Sequence, residues 1–160
     1  MPEAIGDVLA GATQIALETT AFLFAEPGAQ AADADADAPP PTFVATVAFE
    51  GAHSGALTVE FPARLMPVLA ANVLGEDDSP SDETQRDALG ELANIICGNV
   101  LPAFDPGGKY SLGPPSVAKG APAAFDASAA CVGSAELQVD GERVGASFWL
   151  RAPGSTERSA

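Results

Sequence analysis

The spacing of apolar residues changes along this chain, and the change restricts the folds that it can adopt. From Ile5 to Phe24 apolar side chains recur at helical spacing, which predicts a first helix. Large apolar residues then occupy one face from Phe43 to Phe49 and alternate with polar residues from Leu57 to Phe61, as in strands with one buried face. These two predicted strands are joined across residues 51–55.

Helical spacing returns in the next part of the chain. A short helix is predicted from Leu65 to Leu74, ending at Gly75. Asp82 then offers an N-cap with Gln85 three residues later, so a third helix is predicted from about Glu83 to Val100.

The last third of the chain alternates again. Strands are predicted near Phe125–Val132, Ala135–Asp140 and Arg143–Arg151, and Asp140-Gly141 between the last two is a strong signal for a tight hairpin. The resulting order, α-β-β-α-α-β-β-β, predicts an α+β fold with helices packed on a mainly antiparallel sheet.

The length of the chain fits a single domain. Its 160 residues are enough to bury a sizeable core but too few for two full domains. We assign residues 1–152 to this domain. Residues 27–41 are expected to form an acidic loop rich in Ala, Asp and Pro, because they have no large side chain to bury. Residues 153–160 are expected to be a disordered C-terminal tail.

The chain is strongly acidic, with 7 Lys and Arg against 22 Asp and Glu and a net charge of -15. Such a surface repels phosphate backbones and anionic headgroups, which argues against nucleic acid and membranes as partners. No secretory signal is recognised, and Cys97 and Cys131 both lie in apolar periodic segments. We therefore expect a cytoplasmic protein with two reduced core cysteines. The single histidine, His53, leaves no multi-histidine metal site.

The third predicted helix has two different faces. On a helix of 3.6 residues per turn, one side gathers apolar residues that we expect to be buried: Leu89, Leu92, Ala93, Ile96 and Val100. The opposite side carries Asp87, Glu91, Asn94 and Gly98, whose spacings of three and four put neighbouring side chains one turn apart. A carboxylate and a carboxamide thus lie side by side, next to a glycine that leaves room for a partner.

This second face resembles a known signature. The segment from Asp87 to Asn99, DALGELANIICGN, is similar to the ExxN helix of the CheC, CheX and FliY phosphatase family, and most of all to its CheX type. Three other segments agree with the family: Phe49-Glu-Gly51, Leu74-Gly75 and Leu112-Gly-Pro-Pro-Ser-Val117. The resemblance covers most of residues 5–151 and implies the CheC-like fold.

The resemblance implies a phosphatase that acts on the aspartyl phosphate of a CheY-type response-regulator receiver domain, in chemotaxis or related two-component signalling. Glu91 matches the family's acidic residue, expected to pair with the receiver's lysine, and Asn94 matches the amide that orients the attacking water. Asp87 and Gly98 are expected to contact the partner. The enzyme is expected to need no cofactor of its own, since the receiver would hold the Mg²⁺. Because an acyl phosphate is already reactive, such a helper need only dock and hold water in line with the phosphorus.

Other interpretations of the same residues stay open. Glu91 and Asn94 could merely solvate an exposed helix face, in a non-catalytic adaptor that binds a receiver or a flagellar-switch component, or in a structural dimerisation module. Two-site family members carry a second ExxN, whose nearest match here, Glu18 to Ala21, ends in alanine. This predicts a single site. The CheX type also implies a homodimer joined through its sheet.

The acidic residues are concentrated around the third helix. One basic residue, Arg86, accompanies seven acidic ones before or on this helix: Glu76, Asp77, Asp78, Asp82, Glu83, Asp87 and Glu91. This distribution predicts electrostatic steering of a receiver whose active-site rim is basic.

Overall fold

The computed structural model describes residues 5–27, 42–75, 80–120 and 128–152. These residues contain three helices: α1 (Ile5–Thr19), α2 (Met66–Leu74) and α3 (Asp82–Phe104). They also contain seven strands: β1 (Ala25–Pro27), β2 (Thr42–Gly51), β3 (Gly55–Pro62), β4 (Tyr110–Leu112), β5 (Ser116–Lys119), β6 (Ala129–Val139) and β7 (Glu142–Arg151). A 3-10 turn, Ala63–Leu65, leads into α2.

The strands of the described residues join one sheet in which every pairing is antiparallel. Their order is β1-β6-β7-β3-β2-β4, and β5 pairs with β2 beside β4. The α+β class with an antiparallel sheet is therefore confirmed. The strands β1, β4 and β5 were not predicted, because three or four residues are too few to show an alternating pattern.

One face of the sheet packs against the three helices. The aromatic side chains of Phe49, Phe61 and Phe148 are buried there with large side chains from the helices: Leu9, Leu17, Met66, Leu69, Leu89, Leu92 and Ile96. Burying each such side chain stabilises the fold by about 1.5–3 kcal/mol relative to leaving it exposed. The core therefore fixes the position and rotation of α3, the helix with the signature face.

The first helix is shorter than predicted. It ends at Thr19 rather than at Phe24, and Phe22 adopts a positive φ of 55°. The Thr19 hydroxyl donates to the carbonyl oxygen of Ile15 at 2.7 Å, a bond back to the helix that is typical of threonine. A residue in the left-handed region stops a right-handed helix, so the apolar spacing continues past the point where the helix ends.

The third helix is longer than predicted and begins one residue earlier. Its N-cap is Ser81, not Asp82: the Ser81 side chain accepts from the backbone N–H of Thr84 at 3.1 Å. The helix continues beyond Val100 to Phe104 and includes Pro102. This proline lies two residues before the end of the helix, so the backbone hydrogen bond that it removes is one of the last of the helix.

The first two of the three predicted C-terminal strands are one strand, β6. A register shift between Cys131 and Gly133 lets the strand continue through the gap that the prediction left between Val132 and Ala135. A Cβ at Gly133 would overlap the Ile5 side chain, so the glycine allows α1 to pack closely on the sheet. The prediction that both cysteines are core residues was wrong for Cys131, which is exposed because the shift interrupts the alternation. Residues 125–127 lie outside the described ranges.

Two turn predictions are confirmed. Asp140 and Gly141 both have positive φ, 56° and 79°, as a tight two-residue hairpin requires. Gly75 ends α2 in the left-handed conformation. The predicted acidic loop, apart from Pro27 in β1, and the predicted C-terminal tail lie outside the described residues. Among the helices described, none has both the length and the apolar character needed to cross a membrane.

Candidate active site on the third helix

The two faces of α3 are arranged as the sequence predicts. The apolar side is buried: Leu89, Leu92, Ala93, Ile96 and Val100. The other side brings together the four predicted site residues, of which Asp87, Glu91 and Gly98 are exposed and Asn94 is half-buried. Because the core holds the buried side, the candidate residues are presented on a rigid element.

Asn94 has an unusual environment for an asparagine in a helix. Its Oδ1 is buried and has no hydrogen-bond partner among the described residues. A buried acceptor without a partner costs about 1–3 kcal/mol, and asparagine is a modest helix former. Among the described residues, no hydrogen bond to this oxygen offsets that cost.

The carboxylates of Glu91 and Asp87 also have no polar partner within the described part of the chain. Neither carboxylate has a hydrogen bond or an ion pair there, whereas the acidic side chains of Glu60, Glu136 and Glu142 all pair with arginines. Glu91 lies three residues before Asn94, so a carboxylate and an amide project from neighbouring turns. The carboxylates of Glu91 and Asp87 can therefore bind an incoming partner without first breaking a hydrogen bond or an ion pair to the described residues.

A cleft of about 370 Å³ runs along this face. Its lining consists of Asp87, Glu91 and Asn94, together with four residues that were not predicted as part of the site: Arg86, Gly90, Pro115 and Val117. Pro115 precedes β5 and Val117 belongs to it, so the edge of the sheet forms the wall opposite the helix.

The wall and the helix meet closely at Gly90. A Cβ at this position would lie 3.1 Å from Pro115 Cγ, tighter than ordinary van der Waals contact. Only glycine lets the wall approach this closely without displacement. Gly98 differs, because a Cβ there would meet nothing within 4 Å. The open space at Gly98 agrees with the room for a partner that the sequence predicts.

Only two of the four unpredicted lining residues could have been identified from the sequence, and both lie on the helix. Arg86, Gly90 and Asn94 lie four residues apart and therefore share one row of the helix, which is a usable signal. Nothing local in the sequence pairs that row with Pro115 and Val117.

Cysteine chemistry is not available at this site. Cys97 lies on the buried side of α3, where burial raises the pKa of its thiol to about 12 and keeps it protonated. The exposed Cys131 lies on β6 and does not line the cleft. The site therefore offers carboxylates, an amide and a guanidinium.

The second ExxN position on α1 is used structurally. The Glu18 carboxylate accepts from Gln14 Nε2 and from the backbone N–H of Ala25, both at 3.3 Å. Ala21 is fully buried. At this position the carboxylate is therefore already hydrogen-bonded, and a buried alanine stands where the signature has an asparagine.

Solved structures share this fold over more than nine-tenths of the chain. A chemotaxis protein CheX from Desulfovibrio desulfuricans has a TM-score of 0.70 at 21% identity, covering 92% of this chain and 99% of that one. A CheX–CheY–BeF3–Mg²⁺ complex from Borrelia burgdorferi has a TM-score of 0.62 at 16% identity, with 91% and 97% covered. Thermotoga maritima FliY has a TM-score of 0.60 at 17% identity, with 92% and 88% covered.

The fold of the chain is the CheC-like fold of these proteins. Among proteins of this fold, the family model described as chemotaxis phosphatase CheX matches residues 43–135, more than half of the chain. The chain belongs to the CheX family. No curated protein matches it in sequence.

Proposed function

We propose that this chain is a single-site phosphatase that hydrolyses the aspartyl phosphate of a CheY-type receiver domain. The observation that carries the proposal is the Asn94 amide, whose buried oxygen lacks a partner in the described residues, beside the uncommitted Glu91 carboxylate. The complex of the Borrelia burgdorferi CheX with CheY supports a receiver of this type as the partner.

The proposed reaction is a hydrolysis at phosphorus. The oxygen of a water attacks, the bond between phosphorus and the aspartate oxygen breaks, and orthophosphate leaves while the water's proton passes to solvent. The Asn94 amide can both donate and accept, so it holds the water in line without repelling the phosphoryl oxygens. Glu91 pairs with the receiver's lysine and so orients the two proteins. The Mg²⁺ belongs to the receiver, which is the substrate.

A second candidate is a non-catalytic adaptor that binds a receiver or a flagellar-switch component. The likeness to FliY is compatible with this candidate, because a CheC-like fold at low identity does not by itself imply catalysis. The two candidates differ in one measurable property, the rate at which the receiver loses phosphate.

The test is to phosphorylate receiver proteins with a small phosphodonor and to measure orthophosphate release. We expect the wild type to accelerate release, and Asn94→Ala to lower the rate about a hundredfold, since misplacing a reacting water costs this much. Glu91→Ala should mainly weaken association. The matched control is Asn99→Ala, an exposed asparagine of the same helix that does not line the cleft.

Each other outcome has a defined meaning. Full activity in Asn94→Ala would contradict the assigned site, and binding without acceleration would establish the adaptor. A wild type that neither binds the receiver nor accelerates phosphate release would support the structural dimerisation module. Repeating the assay at increasing salt tests the steering by the acidic helix, because screening should slow association with a basic receiver surface.

A further inference from the structure

The cleft wall opposite Asn94 is formed by a weakly supported strand. β5 has only four residues, and in the described part of the chain its one strand partner is β2. The N–H of Gly120 donates to the carbonyl oxygen of Thr42 at 2.8 Å. Since antiparallel residues alternate in direction, Ala118 also faces β2, and the N–H and C=O of Val117 face the open edge of the sheet.

Arg86 reaches this open edge from α3. Its Nη1 donates to the carbonyl oxygen of Val117 at 3.1 Å. Its guanidinium also lies over the Phe43 ring of β2, 5.2 Å from the ring centroid. A planar guanidinium can stack and donate at the same time, so this side chain joins α3, β5 and β2 at one point.

The same row of the helix contains the contact point of the wall. Gly90 lies one turn after Arg86 and touches Pro115, and Asn94 follows one turn later. The distance between the wall and Asn94 is therefore set by the tie at Arg86 and the close contact at Gly90.

We propose that Arg86 is a positioning residue that ties β5 to α3 and so sets the width of the cleft into which the receiver docks. This inference rests on the proposed function. Glu91 and Asn94 are carried by α3 itself, so releasing β5 leaves their geometry intact. Loss of Arg86 therefore weakens docking of the receiver, while the in-line attack of water on the docked receiver continues.

The kinetic test uses Arg86→Met and Arg86→Lys in the full chain, with the phosphorylated receiver as substrate. Both variants should raise KM about tenfold, equivalent to 1.4 kcal/mol, with kcat within about twofold of the wild type. The control is Arg64→Met, which also removes a guanidinium bound to a backbone carbonyl, that of Asp140, and is not part of the cleft lining. A wild-type KM in Arg86→Met would overturn the proposal, as would a loss confined to kcat.

A second test needs no receiver. Hydrogen exchange of the amides of Ala118 and Gly120, which face β2, should accelerate in Arg86→Met and stay unchanged in Arg64→Met. Unchanged hydrogen exchange in Arg86→Met would refute the proposal that Arg86 ties β5 to α3. An unaccelerated phosphatase reaction with the wild type would instead refute the proposed function, so the two failures are distinguishable.

A third variant displaces the wall by adding a side chain to α3 at Gly90. Gly90→Ala puts a methyl group against Pro115 and should raise KM in the same way. Gly11→Ala is its matched control, because Gly11 is also a helical glycine but a Cβ there would meet nothing within 4 Å. If Gly90→Ala and Gly11→Ala have equal KM values, the width of the cleft does not control docking and the proposal fails.

Discussion

Gly98→Ala is expected to make the protein more stable and its association with the receiver weaker. Gly98 lies inside α3, is exposed, and has open space where a Cβ would be. Glycine in a helix interior costs about 0.8–1 kcal/mol relative to alanine, and no contact at this position offsets the gain. Thermal unfolding should therefore shift upward by about 2–4 °C for a domain of this size.

The functional effect should have the opposite sign. If the bare backbone at Gly98 lets the receiver approach Glu91 and Asn94, an added methyl group keeps the two surfaces apart. We expect KM for the phosphorylated receiver to rise several-fold, measured by orthophosphate release alongside the unfolding curve. Gly11→Ala on α1 should bring a comparable gain in stability with no change in KM, since it adds the same methyl group to another helix.

Two results would refute this reasoning. A stabilised Gly98→Ala with wild-type KM would mean that the partner does not approach at Gly98. A variant that is not stabilised, while Gly11→Ala is, would mean that the helix around Gly98 is not an ordinary helix interior.

Three further expectations concern the N-cap of α3 and the two cysteines. Ser81→Ala should lower the free energy of unfolding by about 1 kcal/mol in urea titrations, because it removes the acceptor for the Thr84 N–H; an unchanged midpoint would contradict the cap. A thiol reagent should modify Cys131 rapidly and Cys97 only after unfolding. Because the pKa of Cys97 is raised from 9.0 to about 12, its contribution to stability is complete below pH 9 and is lost as the pH rises towards 12. Cys97→Ala should therefore lose less stability than the wild type between pH 8 and pH 10.5, and equal losses would refute the shift.

The signature face of α3 was predictable because helix geometry is local. Once residues 83–100 are helical, the positions of Leu92, Glu91 and Asn94 around the axis follow from 3.6 residues per turn. The same holds for the Asp140-Gly141 hairpin, where two adjacent residues accept positive φ. Neither prediction needed any information about distant parts of the chain.

The errors occurred where a distant contact outweighs the local pattern. Apolar spacing continues to Phe24, yet α1 ends at Thr19, and Asn72 of α2 donates to the carbonyl oxygen of Ala21 at 2.7 Å just beyond this end. Gly133 lies in the gap between two predicted strands, but it is part of β6 where Ile5 of α1 packs against the sheet. The ends of elements and the bulge thus depend on what packs beside them.

The sequence by itself determined the helix, its buried stripe and the pairing of Glu91 with Asn94, because these depend on residues within a few turns of one another. The tertiary structure alone decided that the site is a cleft. Val117 pairs with Ala45 of β2, and only that long-range pairing brings Pro115 and Val117 to α3. The register of distant strands and the burial of one amide oxygen are set by packing of the whole core, which no local pattern records.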